Sequence, residues 1–418
     1  MADRYEIIIV GAGAAGLACA RDLSGAGKRV CIVEARERIG GRIFTIHTTD
    51  LPLPIELGAE FVHGEAHETF AIVEAAALTA YELPDNHWWS RRGRWSEIKD
   101  FWGQIDRVRA RIPNGADMSF ADFIKKQRRL APRLRELAMS FVEGYHASHA
   151  DRISALALRS SDEEQEEPSG NKQFRIANGY DALVEWLRAG LDPERTSLRL
   201  GTQVTVIEWR DREVIVRTNR GDELRAKACV ITVPAGVLKA ADGIRFDPEI
   251  KAKRKAMETI EVGHVVKIVF RFRERFWDDF NFVHSSDRYV PTWWTAAPVR
   301  APILTAWAGG HAADRLLTDA APTERALDSL AAIFSMSRAE IDRYLDSAHT
   351  HDWQADPFSR GAYSYAAVGG KNAHAALARP LKGTLFFAGE ATSGDQTGTV
   401  AGAIATGKRA AKEVEDRL

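Results

Sequence analysis

Residues 5–42 read YEIIIVGAGAAGLACARDLSGAGKRVCIVEARERIGGR. Tyr5–Val10 is an apolar, β-branched run, the pattern of a strand buried on both faces. Gly11-Ala12-Gly13-Ala14-Ala15-Gly16 follows at once, and Leu17–Leu23 then reads as a helix with small residues at its start. Arg29–Val33 is a second strand and ends in Glu34. The order is strand, glycine turn, helix, strand, acid, which is the dinucleotide-binding pattern. Gly11 permits the tight turn, Gly13 lets a pyrophosphate approach the backbone, and Gly16 lets the helix pack close to the strand. The start of the helix offers unpaired N–H groups and a positive dipole end to the phosphates. Glu34 can accept from both hydroxyls of a ribose and would repel a 2′-phosphate, so NADP is excluded here while NAD and FAD are not.

Two more glycine clusters extend this reading. Glu34–Arg42 contains Gly40-Gly41 flanked by Arg36 and Arg42. Adjacent glycines let the backbone pass close to a ligand, and two guanidinium groups suit a pyrophosphate. Near the other end, FFAGEAT at 386–392 runs from a strand into Gly389 and Glu390, and a helix rich in small residues begins at Thr399-Val400-Ala401-Gly402. The positive end of that helix would stabilise negative charge.

Composition bounds the rest. The chain has 418 residues, 57 Lys+Arg against 58 Asp+Glu, 45% hydrophobic and 28% charged residues. That apolar content argues against disorder as the main state. A net charge of −1 argues against a polyanion-coating nucleic-acid binder. Cys19, Cys31 and Cys229 lie in apolar settings, with neither a disulfide framework nor zinc spacing, and no metal site is expected. No segment approaches the roughly 20 apolar residues of a membrane span, so a soluble, cytoplasmic protein is expected. Eleven Trp residues, including the pairs 88–89 and 293–294, suggest either core filling or an aromatic-walled cavity.

Between the clusters, His67–Ala80 reads as a helix and 119–144 as two helices interrupted near Pro132. Residues 85–115 show weak periodicity. The acidic run 161–170, SDEEQEEPSG, is expected to be an exposed loop that could attract cations. Val265–Phe272, VVKIVFRF, is a strand with one internal Lys. Burial disfavours a lysine's charge, so that residue marks either an edge position or a site.

With these segments in hand, the chain resembles the flavin-dependent amine oxidases: monoamine oxidases, polyamine oxidases and the lysine-specific histone demethylase. The resemblance rests on IIIVGAGAAGLACA, VEARERIGGRI, IELGAEFVHG, VITVPAGVL, GHVVKIVFRF, WQADPFSRGAYSYAAVGG and LFFAGEATSGDQTGTVAGAIATGKRAA, which run from residue 7 to 411. The last two point to the polyamine-oxidase and demethylase branch. The resemblance implies an α/β (α+β) architecture, with a Rossmann-like FAD domain from 1–69, 172–243 and 380–418. That domain would interleave with a substrate domain of mixed sheet and helices from 70–171 and 244–379.

By this likeness FAD lies along Gly11, Gly13, Ala14, Ala15 and Gly16, with Glu34 and Ala35 at the adenosine ribose and Val204 at the adenine. Arg36, Gly41 and Arg42 line the same channel. Gly58 and Ala59 pass beside the isoalloxazine with Glu60 and Phe61 next to them, Glu390 faces the ribityl or phosphate portion, and Gly389, Thr399 and Val400 belong to the same cofactor site. Lys267 matches a lysine that binds a water bridging to the flavin N5. Tyr363 matches one wall of an aromatic cage, and Thr399 stands where monoamine oxidases have the second wall. Trp353 matches a tryptophan near the flavin ring. His63 matches a histidine that polyamine oxidases place near substrate. Ala362 stands where monoamine oxidases attach flavin through Cys, so FAD is expected to be non-covalent. Phe61 replaces the arginine with which L-amino-acid oxidases grip a carboxylate.

The implied reaction moves a hydride from the carbon α to a neutral amine onto the flavin. The imine then hydrolyses, and dioxygen reoxidises the flavin to give hydrogen peroxide. The substrate would be a polyamine or another primary or secondary amine. An arylalkyl monoamine is the alternative, as is a desaturase- or porphyrinogen-oxidase-like reaction on the same framework. A non-catalytic flavoprotein is disfavoured by the presence of both Lys267 and Tyr363. The expected partners are the amine and dioxygen, with no nucleic acid and no membrane, leaving room for a homodimer.

Overall fold

A computed structural model describes residues 3–163 and 171–418. Most of the acidic run at 161–170 lies outside the described residues. The strand Ile7–Val10 is buried along its whole length and pairs in parallel with Val30–Val33 on one side and Ala228–Ile231 on the other. Thr196–Arg199 and Leu385–Phe387 complete this five-stranded parallel sheet. Four of its strands are apolar runs buried along their whole length, because both faces are covered there, while the edge strand Thr196–Arg199 (TSLR) is half-buried. Residues from Ile7 and Ile9 face one core and Ile8 and Val10 another, as the two-residue period requires.

Two helices cover the first face, Ala14–Gly25 and Val400–Glu415. They approach so closely that a Cβ on Gly407 would lie 2.2 Å from the Ala15 carbonyl oxygen. The small-residue runs of both helices are therefore packing surfaces. Both helices begin at the same cavity, with Ala14, Ala15, Val400 and Ala401 among its lining residues.

A seven-stranded sheet forms the floor of the second half, in the order 345–350, 265–272, 303–309, 292–295, 282–285, 87–91 and 94–97. Val266, Ile268, Phe270 and Phe272 enter the core behind it. Val265 and Lys267 project from the opposite face, toward the cavity. Cross-strand register then aligns Lys267 with Trp307, Trp307 with Thr292, and Thr292 with His284. A one-residue slip would drive Lys267 into the apolar core, so this register is strongly specified.

Three features depart from the sequence expectations. His67–Ala80 is helical only to Ala75, and Ala80–Glu82 is a strand. Residues 85–115 hold the hairpin 87–91/94–97 and the helix Phe101–Arg109. Arg245–Asp247 pairs with Val206–Glu208, just past the expected boundary at 243, while Ala256, Met257, Ala373 and Leu377 pack into the core of the dinucleotide-binding half. No helix of the described residues is long and apolar enough to cross a membrane.

Candidate active site

The two halves enclose one cavity of about 1530 Å³. That exceeds the ~300–1,000 Å³ of a typical small-ligand pocket, leaving room for a cofactor and a substrate together. Every candidate residue named from the sequence lines it except Gly16. Gly16 sits behind the turn, where a Cβ would lie 2.0 Å from the Gly11 carbonyl oxygen. Its role is to let helix and strand meet.

At one end the glycine turn is held by Glu34, which is 6% exposed. Its Oε2 accepts from Ala12 N at 2.7 Å and its Oε1 from Arg36 N at 2.8 Å. A carboxylate has about four lone-pair sites, so two remain for a diol. Ala35 and Val204 line the same end. A Cβ on Gly13 would meet nothing within 4 Å, so this turn leaves the space for a ligand open. With two helix N-termini facing the same space, the residues present fit an extended dinucleotide. None of the three buried cysteines lines the cavity, and Ala362 does, so a thioether link to the cofactor has no donor there.

Several candidates carry structural duties that the sequence did not reveal. Arg36 forms a bidentate pair with Asp356 at 2.7 and 2.8 Å and donates to Ser359 at 2.9 Å. Its charge is matched within the protein rather than left open for a phosphate. Arg42 donates to the Ala362 carbonyl and to Glu390 Oε1, tying the Gly40-Gly41 turn to the segment that carries Tyr363. Glu390 also accepts from Ser364 Oγ at 2.8 Å and from Gly398 N at 3.1 Å, so both of its oxygens are latched to protein. Thr399 is the N-cap of the last helix: its Oγ1 accepts from Gly402 N at 2.9 Å and donates to the Gln396 carbonyl at 2.8 Å. The hydroxyl is thereby committed to the helix, and Thr399 is corrected from a catalytic candidate to a cap on the cavity wall. Trp353 donates to the Leu57 carbonyl at 3.0 Å, and its ring packs where Gly58 has no side chain.

At the other end Lys267, 2% exposed, lies 2.6 Å from Glu60 Oε2 and donates to the Gly58 carbonyl at 3.1 Å. Glu60 Oε1 accepts from Arg175 Nε and Nη2 at 2.9 and 2.7 Å and from Trp294 Nε1 at 3.0 Å. Burial alone would push the Glu60 carboxyl up, but the charges and hydrogen bonds of Lys267 and Arg175 outweigh it and hold the group below its ordinary value. Glu60 is thus the anchor of a buried ion cluster. Arg175 carries no mark in the sequence, and Trp294 only that of the pair 293–294. Both lie in short strands, Gln173–Ile176 and Thr292–Thr295, and nothing local says what they meet.

Aromatic rings enclose the space beside Lys267. Trp294 lies 5.3 Å from Phe61 and 5.6 Å from Trp307 between ring centroids. Tyr363 donates its hydroxyl to the Tyr145 carbonyl at 2.7 Å, and its ring rests against Gly398, where a Cβ would come within 3.0 Å. His63 stands 5.2 Å from the Tyr145 ring. Burial pushes His63 down to about 4, so it is neutral at physiological pH and adds no cation to the pocket. Burial likewise pushes His146 down to about 3. The walls therefore exclude water and disfavour a charged guest, which holds an entering amine in its neutral form.

Glu56, next to this region, accepts from Thr45 Oγ1 and Tyr180 N, both at 2.7 Å. Burial still raises its carboxyl from 4.5 to about 7. A raised native carboxyl means the native state binds more protons than the unfolded chain between those values, so stability falls as pH rises through that window. Glu56→Gln should therefore shrink the drop in Tm between pH 5 and pH 8. An unchanged drop, read by calorimetry, would remove Glu56 as its source.

Known proteins resemble this chain over nearly all of its length. Residues 14–415 match the family described as flavin containing amine oxidoreductase. Polyamine oxidase 3 of Oryza sativa subsp. japonica is 31% identical over 450 residues, covering 98% of this chain and 89% of that protein. Lysine-specific histone demethylase 2 of Homo sapiens is 27% identical over 98% of this chain and 53% of its own length. Putrescine oxidase bound to putrescine superposes with a TM-score of 0.83 at 19% identity over 100% of both chains. Cyclohexylamine oxidase from Brevibacterium oxydans IH-35A gives 0.85 at 20% identity over 99% of both. With the family matched over nearly its whole length and a cavity built for an extended dinucleotide, the chain belongs to the flavin containing amine oxidoreductase family and is an FAD-dependent amine oxidase.

Proposed function

We propose that the substrate is a polyamine, with dioxygen as the final acceptor and hydrogen peroxide as product. The observation that carries the site assignment is the enclosed aromatic space between Lys267 and Tyr363, lined by Phe61, Trp294 and Trp307 and by the neutral His63. FAD, when bound, would supply the acceptor for the hydride leaving the carbon next to the amine nitrogen. The protein's part is to strip water from the amine, keep its nitrogen neutral and fix that carbon in place. Lys267, pinned by Glu60 and the Gly58 carbonyl, supplies the one ammonium group at the inner wall among the described residues.

The polyamine reading is supported by the name of the 31% identical relative. Methylene chains suit aromatic walls, and Glu65 and Asp106 line the exposed part of the cavity, where a distal ammonium would lie. A second reading, an arylalkyl monoamine, is favoured by the density of rings, since Trp102, Phe141, Tyr145 and Phe282 line the cavity as well. Arg109 and Arg159 also line it and oppose a polycation. Anaerobic mixing of the holoenzyme with spermidine, putrescine and phenethylamine separates the two. Bleaching of the flavin band by the first two supports a polyamine, and bleaching by phenethylamine alone replaces it with the second reading. A band that survives all three overturns both.

A further inference from the structure

Outside the cavity, three side chains from distant parts of the chain converge. His149 follows the helix Pro132–Tyr145, His264 precedes the strand Val265–Phe272, and Asp314 lies in the helix Gly310–Leu317. His149 Nε2 is 2.7 Å from Asp314 Oδ2, and His264 Nδ1 is 2.5 Å from Asp314 Oδ1. All three donor atoms lie within 4.8 Å of one another. His149 is buried, while the side chains of His264 and Asp314 are 36% and 40% exposed, so the cluster opens to solvent on one side. None of the three lines the cofactor cavity.

We infer that His149, His264 and Asp314 form a binding site for a borderline divalent metal ion, with Zn²⁺ the ion best suited to it. Two imidazoles and one carboxylate are the donor set that Zn²⁺ takes at about 2.0–2.2 Å. Tetrahedral ligands at those lengths stand about 3.3 Å apart. The two hydrogen-bonded distances must open by less than about 1 Å for the ion to replace the protons now shared there. Mg²⁺ and Ca²⁺ prefer all-oxygen sets and fit poorly.

The surroundings are those of a supported site. The Nδ1 of His149 lies 3.3 Å from the Tyr365 hydroxyl, which fixes the ring so that Nε2 faces Asp314. His311 stands one helical turn before Asp314, on the same face, with its ring centroid 4.9 Å from that of His149. Glu143 holds His311 Nδ1 at 2.7 Å. The Nε2 of His311 faces Asp151 at 3.5 Å, so water completes the fourth position. Bound there, the ion would staple three segments behind the amine pocket, because Gly263 N donates to the Tyr363 carbonyl at 2.7 Å and Ala362 N to the Gly263 carbonyl at 2.9 Å. The site is independent of the amine chemistry.

The test is titration calorimetry of the tag-free holoenzyme with ZnCl₂. All three cysteines are buried, so thiols do not compete. One equivalent should bind, and a hundredfold excess over Kd should raise Tm by about 3 °C. His264→Gln and Asp314→Asn should each weaken binding at least tenfold. His47→Gln, which removes a separate exposed His–Asp pair at 2.8 Å, should not. MgCl₂ should not displace the ion. No heat from the wild type overturns the site, as do unchanged affinities in either of the two variants that retains the flavin spectrum. Having two independent variants keeps the test decisive if one fails to fold.

Discussion

Replacing Lys267 by Met should slow flavin reduction by an amine by about 10²-fold or more while the protein stays yellow. The magnitude is that of a positioned proton-handling group, about 10²–10⁴. Lys267 is 2% exposed, sits on the cavity side of its strand and is held by Glu60 at 2.6 Å. Methionine keeps the length and apolar stem and removes only the ammonium. Removing one partner of a buried ion pair costs ~3–5 kcal/mol when the other charge is abandoned. Here Glu60 retains Arg175 and Trp294, so the loss should fall at or below the low end. Adding Glu60→Gln should lower the Tm further, because it strips the buried Arg175 guanidinium of its carboxylate, so Lys267→Met alone separates chemistry from stability. Anaerobic stopped-flow and thermal melts read the two quantities. A Lys267→Met enzyme reduced as fast as the wild type would end the role assigned to this side chain.

Glu34→Gln should weaken FAD binding by about 10- to 100-fold, the equivalent of ~1.5–3 kcal/mol for hydrogen bonds to a charged group. The residue does two things at once. It closes the glycine turn through Ala12 N and the following loop through Arg36 N, and it offers its remaining lone pairs to the cavity. Glutamine keeps one acceptor oxygen but turns the other into a donor, which then opposes a backbone N–H at a site 6% exposed. Apoprotein titrated with FAD, followed by flavin fluorescence, measures the change. Unaltered affinity would show that the carboxylate serves the turn alone.

The extent to which these sites could be read from sequence follows the range of the interactions involved. Ile7–Val10, the Gly11–Gly16 turn and Glu34 could be read because strand, turn, helix and acid occur in direct succession, and each leaves a local mark. Val265–Phe272 could be read for the same reason: a β-branched, apolar run with one internal lysine singles out Lys267 without any knowledge of its neighbours. The helix starting at Val400 is also visible, but nothing local shows that the hydroxyl of Thr399, a residue of the cavity wall, is spent on capping it.

What the chain order could not reveal is which side chains meet. Glu60 and Arg175 are 115 residues apart, and only the pairing of Val62–His63 with Gln173–Phe174 brings their segments together. Trp294 and Trp307 gain meaning from the antiparallel register that turns both toward Lys267. His149 and Asp314 are 165 residues apart and His264 and Asp314 50, so no spacing rule could have paired them. Sequence by itself determined the dinucleotide fold and the strand that carries the lysine, because periodicity and turn chemistry are local. Tertiary structure alone decided the ion cluster, the aromatic enclosure and the surface His–Asp site, because charges and rings act across whatever distance the topology closes.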